Sequence, residues 1–158
     1  MNAAIRAVVK AANHYGADIM GIRNGYQGLI DGTIHPLPLA NVEHISNKGG
    51  TILQTSRSLE FMEDAGRRKA VHVLRESGID ALVVIGGEGA LKGAQKLHRL
   101  GIKVAGIPST IDNDIPYTDC SIGFDTALNT VIDCIGKIKD TGSSHRKTTI
   151  VEVMGRLW

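Results

Sequence analysis

The run Asp80-Ala81-Leu82-Val83-Val84-Ile85 limits the fold more than any other stretch of this chain. It has the length of a strand and is apolar after its first residue. Runs of this kind mark strands covered on both faces, as in parallel sheets flanked by helices. Gly86 and Gly87 close it. Ala90 to Leu100 then forms the next helical segment, and Lys103-Val104-Ala105-Gly106-Ile107 is a further strand stopped by Pro108. Strand, helix and strand in that order predict a βαβ unit.

The rest of the chain continues the alternation. Ile5, Val8, Val9 and Ala12 recur at helical spacing, so the chain opens in an amphipathic helix that Gly16 stops. Ala17 to Ile22 reads as a short strand. Residues 24–40, rich in Gly, Pro and His, read as loop with a short strand. Val42 to Ser46 reads as a helical turn ended by Gly49-Gly50, and Thr51 to Thr55 as a strand. Residues 59–76 are charged, with Phe61, Ala65, Ala70, Val73 and Leu74 interspersed, which predicts a solvent-facing helix ended at Gly78. Phe124, Ala127, Leu128, Val131, Ile135 and Ile138 share one face of a long helix, and Thr148 to Val153 is the last expected strand. The fold class is α/β with a doubly wound, mostly parallel sheet. Neither a repeat nor a linker interrupts the 158 residues, so they are read as one domain.

Composition narrows the function classes. A net charge of +2, scattered along the chain, gives no nucleic-acid footprint, but leaves room for local phosphate sites. No apolar stretch reaches the roughly 18 residues of a membrane span, and the N-terminus lacks the apolar run of a signal peptide. No membrane partner is expected, and the setting is read as cytoplasmic. Cys120 and Cys134 belong to no CxxC pair and are expected to be buried or semi-buried thiols. There are 19 glycines, many just after apolar runs, where a backbone can approach a ligand closely.

In open α/β sheets, ligands bind beyond the carboxyl ends of the strands. One such end carries Gly86-Gly87-Glu88-Gly89-Ala90. Its glycines and the helix N-terminus suit phosphate oxygens, and Glu88 suits a bridging Mg²⁺. The same stretch also reads as a Gly-rich turn with an acidic first-turn residue. A second end carries Pro108-Ser109-Thr110-Ile111-Asp112-Asn113-Asp114-Ile115-Pro116. Two carboxylates so close repel each other, which can poise one for proton transfer, and Thr110 offers a hydroxyl to a phosphate. An Asx-rich turn between prolines is the other reading. Arg57 and the terminal Met154-Gly155-Arg156 are weak signals singly, although Arg grips phosphate bidentately. Together these ends hold the parts for phosphoryl transfer, and the residues alone reach that reaction class.

Gly86-Gly87-Glu88-Gly89, Pro108 to Asp114, Gly123-Phe124-Asp125-Thr126-Ala127-Leu128 and Val151-Glu152-Val153-Met154-Gly155-Arg156 resemble the phosphofructokinase family, and the similarity starts at Met1-Asn2-Ala3-Ala4-Ile5-Arg6. The resemblance implies a Rossmann-like lobe and transfer of the ATP γ-phosphoryl to the 1-hydroxyl of fructose 6-phosphate. It implies Asp112 as general base, Asp114 as the neighbouring acid, and Thr110 as a contact to the sugar and the transferred group. It places Glu88 where the family has a Mg²⁺-binding Asp, and Gly87, Gly89 and Ala90 in the ATP-phosphate loop with Arg57 and Ser58 as further nucleotide contacts. Met154, Gly155 and Arg156 match the sugar-phosphate segment. Arg6, Lys10 and Lys139 fall where bacterial members bind a nucleotide effector. The family resemblance also implies a homo-oligomer, a tetramer at full length.

Four departures qualify the resemblance. The family's first strand and Gly-Gly-Asp loop, which precede the residue matching Met1, are absent. Glu88 is one methylene longer than the usual Asp. Lys147 replaces an Arg that reaches a neighbouring subunit's sugar phosphate, keeping the charge but losing the fork. The second lobe that would follow Arg156 is absent, and Trp158 matches nothing in the family. ATP rather than pyrophosphate is the expected donor, because Gly89 and Ser109 stand where pyrophosphate users carry Asp and Lys. The alternative is a catalytically incomplete phosphofructokinase fragment that binds nucleotide or pairs with a partner. Without the first strand, unpaired strand edges are expected to leave the chain marginally stable or associating.

Overall fold

In the computed structural model, residues 1–155 are described, and they cluster into two compact units, one of Met1–Ile107 and one beginning at Pro108. Met154 and Gly155 close the described part, and Arg156, Leu157 and Trp158, including the expected phosphate contact of Arg156, lie outside it.

The first unit opens with helix α1 (Asn2–His14), whose Ala4, Ile5 and Val9 are buried. Gly16, at φ +70°, follows its end as the sequence predicts. Strand β1 (Met20–Ile22), helix α2 (Gly25–Ile30) and strand β2 (Ile34–Pro36) come next. The strands pair antiparallel, with Gly21 opposite His35. Helix α2 corrects the expectation of loop over 24–40. It is short and contains glycines that sequence propensity penalises, yet its turn requires one of them. A Cβ on Gly28 would lie 1.6 Å from the Arg23 carbonyl oxygen, and Thr33 closes the turn by donating from N (2.8 Å) and Oγ1 (2.9 Å) to the Gly28 carbonyl.

Two further expectations change for local reasons. Leu39–Val42 forms a 3-10 turn, one turn earlier than the helical turn expected over Val42–Ser46. Residues 51–55 form a turn rather than a strand. Thr51 Oγ1 accepts from Leu53 N at 3.1 Å, and Gln54 takes a positive φ of 61°. Buried Asn2 fixes this turn from α1. Its Oδ1 accepts from Ile52 N at 2.8 Å and its Nδ2 donates to the Lys48 and Gly49 carbonyls. The helix expected over 59–76 is split into a 3-10 turn (Glu60–Met62) and α3 (Asp64–Glu76) by extended Glu63. Arg67, buried, closes this junction by donating to the Phe61 carbonyl at 2.9 Å and by bonding the Met62 carbonyl and Asp64.

Strand β3 (Ala81–Gly86), helix α4 (Glu88–Arg99) and strand β4 (Lys103–Pro108) form the expected unit, with β3 and β4 paired in parallel. The arrangement is an α/β, Rossmann-like fold. Leu82 and Val84 face a core built from Leu29, Phe61, Ala70, Leu74 and Leu97 of α2, the 3-10 turn, α3 and α4. Ile85 faces a second core around Ile5, Val9, Leu37, Val42 and Ile45. Val83 is 41% exposed, so β3 is not covered on both faces along its length as the apolar run predicts. The cover on the Ile85 side does not extend to Val83.

In the second unit, Ser109 and Ile122 form an isolated parallel bridge, and helix α5 (Phe124–His145) follows Gly123 at φ +103°. No residue of α5 is buried, and Ile132 is 59% exposed. Cys120 and Cys134 are exposed free thiols, which corrects their expected burial: Cys134 stands on the open surface of α5 and Cys120 in the loop before it. Residues 148–153 carry β-branched side chains, but no described strand pairs with them, so the expected last strand does not form a ladder. No described helix is long and apolar enough to cross a membrane.

Candidate functional site

In the first unit, β3 ends at Gly86, and Gly87 in extended conformation leads into α4 at Glu88. The first-turn amides of such a helix have no acceptor within it, and its dipole favours anions there. Gly86 lets the strand pass close to the helix, since a Cβ would meet the Ala90 Cβ at 2.7 Å. Gly89 faces open space. Glu88 is half-buried and paired with Lys92 Nζ at 2.8 Å. Ser58, expected to contact nucleotide, donates to Gln27 Oε1 at 2.8 Å and accepts from Phe61 N at 3.1 Å, so its hydroxyl holds the 3-10 turn. Arg57 is exposed beside it.

Sequence reasoning missed the tyrosine that ties these pieces together. Tyr26 of α2 donates its hydroxyl to the Ala90 carbonyl at 2.5 Å. Its ring stacks on Phe61 with centroids 3.9 Å apart and planes 3° from parallel. Both rings lie flat on α4 because Gly93 has no side chain. A Cβ there would meet Tyr26 Cε2 at 2.7 Å and Phe61 Cε1 at 3.0 Å. Burial pushes the Tyr26 phenol well above its ordinary range, so it stays a donor. The only sequence signal was rarity: Tyr26 is one of three tyrosines and Phe61 one of two phenylalanines.

In the second unit, the acid loop leaves β4 at Pro108. Thr110 Oγ1 donates to Asp112 Oδ2 at 3.3 Å and accepts from Asp112 N at 3.2 Å, so two of the expected catalytic residues are in contact. Asn113 adopts φ +48°. Its Oδ1 accepts from Ser121 N at 2.9 Å, and Ser121 Oγ donates to the Thr110 carbonyl at 2.7 Å. Residues 110–115, Asp114 among them, are half-buried. The loop is therefore both held and open to a ligand.

The remaining candidates are more scattered. Lys139 and Lys147 line one cavity of about 410 Å³ with Arg146, over Ile135, Ile138 and Val151. Arg6 and Lys10 lie one turn apart on α1, with Arg6 Nε buried and without a hydrogen-bond partner, while Lys139 belongs to the other unit. Met154 and Gly155 lie in exposed coil. Among the described residues, no three His, Cys, Asp or Glu side chains converge as metal ligands.

Residues 1–157 match the family model described as Phosphofructokinase. The chain is 57% identical over 156 residues to the ATP-dependent 6-phosphofructokinase of Clostridioides difficile, covering 99% of this chain and 49% of that protein. It is 54% identical over 156 residues to the ATP-dependent 6-phosphofructokinase 1 of Clostridium perfringens, with the same coverage. The crystal structure of Pichia pastoris phosphofructokinase in the T-state is similar with a TM-score of 0.85 and 35% identity, over 87% of this chain and 17% of that one. The chain spans about half the length of the curated relatives it matches.

Proposed function

Because the chain belongs to the phosphofructokinase family, we propose that it is the nucleotide and catalytic lobe, read as one domain, for transfer of the ATP γ-phosphoryl group to the 1-hydroxyl of fructose 6-phosphate. The observation that carries the reading is the acid loop, where Thr110 bonds both the carboxylate and the amide of Asp112 at the end of a parallel strand. A general base needs this kind of fixed placement within reach of its proton.

In this reading, first-turn amides at Gly87 to Ala90 take the nucleotide phosphates, with Arg57 and Ser58 beside them. Asp112 removes the proton of the sugar 1-hydroxyl. The sugar 1-oxygen then forms the new bond to the γ-phosphorus as the bond from that phosphorus to the bridging β-phosphate oxygen breaks, releasing ADP. Thr110 bonds the sugar and the transferred group, Asp114 stands by as the neighbouring acid, and Lys147, Met154, Gly155 and Arg156 hold the sugar phosphate. Arg6, Lys10 and Lys139 serve a nucleotide effector. The same reading carries a homo-oligomer in the cytoplasm.

Mg²⁺ fits the residues present. A half-exposed carboxylate, Glu88, stands at an anion-favouring helix end, and Mg²⁺ is typically held by one or two carboxylates plus substrate phosphates. It would neutralise charge developing on the phosphates. Lys92 would have to release Glu88 to it.

The open space at Gly89 supports ATP as donor. An Asp there would occupy and repel the position of an inner phosphate. Fructose 1,6-bisphosphate formation is measured with ATP and with pyrophosphate in parallel. ATP is expected to be the donor in the wild type and to fail in Gly89→Asp. Preference of the wild type for pyrophosphate overturns the donor assignment.

A further inference from the structure

We propose that Ser121 and Asn113 are positioning residues that clamp the acid loop and thereby set the place of Asp112. The inference rests on the proposed role of Asp112, while the clamp itself rests on the geometry.

Ser121 is 2% exposed, and both of its donors, the amide and the hydroxyl, bond the acid loop. Its hydroxyl donates to the Thr110 carbonyl at 2.7 Å and its amide to Asn113 Oδ1 at 2.9 Å, with a weaker 3.5 Å contact between that hydroxyl and Asn113 Oδ1. Its neighbour Ile122 donates its amide to the Pro108 carbonyl at 3.0 Å and accepts from Ser109 Oγ at 3.2 Å. A two-residue segment thus grips the loop at Pro108, Ser109, Thr110 and Asn113. Thr110 passes the restraint on, since its side chain bonds Asp112 twice.

Asn113 serves this arrangement in two ways. It adopts φ +48°, which Asn tolerates better than most residues. In that conformation its amide oxygen reaches the Ser121 N–H. Neither Ser121 nor Asn113 needs to touch a substrate. They act through Thr110 and the backbone, and a displacement of about 1 Å at a catalytic group costs on the order of a hundredfold in rate.

The test uses the full chain and two kinds of readout. Ser121→Ala is expected to raise amide exchange at Asp112 and Ile122 on the order of tenfold, with α3 and α4 unchanged. In turnover of fructose 6-phosphate with ATP it lowers kcat by about tenfold or more and leaves the ATP KM unchanged. Ser121→Thr, which keeps the donor, restores both. Asn113→Gly removes the acceptor without backbone strain and is expected to behave as Ser121→Ala does. The clamp is overturned if exchange at Asp112 is unchanged in Ser121→Ala and Asn113→Gly. It is also overturned if the lost kcat is not restored by Thr, or is matched by an equal rise in the ATP KM. If the wild type turns over no fructose 6-phosphate, the phosphoryl-transfer reading fails, and exchange at Asp112 alone decides the clamp.

Discussion

Tyr26 acts through one proton. Burial raises its phenol, so the folded chain keeps a proton that the unfolded chain loses near pH 10. This contribution to stability is fully present below about pH 10 and is lost as pH rises beyond it towards the folded value. Urea midpoints for wild type and Tyr26→Phe, taken at pH 7 and pH 11, are expected to show a smaller alkaline loss in the variant. At pH 7 the variant is expected to lose about 1 kcal/mol, the typical net value of one such hydrogen bond. Contacts around the candidate site were legible in the sequence where the partners are near neighbours. Thr110, Asp112 and Asp114 sit in one heptapeptide, so their chemistry shows as a motif. Tyr26 did not show, because its partners Phe61, Ala90 and Gly93 lie far from it along the chain. Ser121 stayed hidden for the same reason, eight or more residues from the groups it binds in the loop.

At the scale of elements, the contact of α4 with α2 depends on a missing side chain. Gly93→Ala gains about 1 kcal/mol of helix propensity, but its Cβ would press into two stacked rings that cannot yield singly. Overpacking of this kind typically costs about 1–3 kcal/mol. The net result expected is a lower urea midpoint, with the loss reduced when Tyr26→Leu or Phe61→Leu is combined with it. An unchanged or higher midpoint would mean that the rings move aside freely. Long periodic elements were legible, since α1, α3, α4 and α5 carry apolar residues at helical spacing over twelve or more residues. Short ones were not. Helix α2 is six residues with two glycines, and the turn at 51–55 is set by Thr51 and by Asn2, fifty residues away. Residues 148–153 have strand composition, but a strand exists only with a partner.

At the scale of the whole molecule, the described sheets have two strands each. Two-stranded sheets are marginal by themselves, and exposed edges offer unpaired N–H and C=O groups to other chains. Val83 and Met20 are exposed apolar residues on these strands. The chain is therefore expected to associate at micromolar concentration or to unfold in a broad, low-temperature transition. Light scattering alongside a thermal scan measures both, and a monomer with a sharp, high transition would refute the expectation. The central claim concerns Asp112 as the base in phosphoryl transfer. It is tested most directly by a coupled assay for fructose 1,6-bisphosphate with fructose 6-phosphate, Mg²⁺ and ATP, run on the wild type and on Asp112→Ala. The account predicts turnover by the wild type and a loss of about a hundredfold or more in the variant. Equal turnover by the two proteins, or none by a wild type that still binds nucleotide, would contradict it.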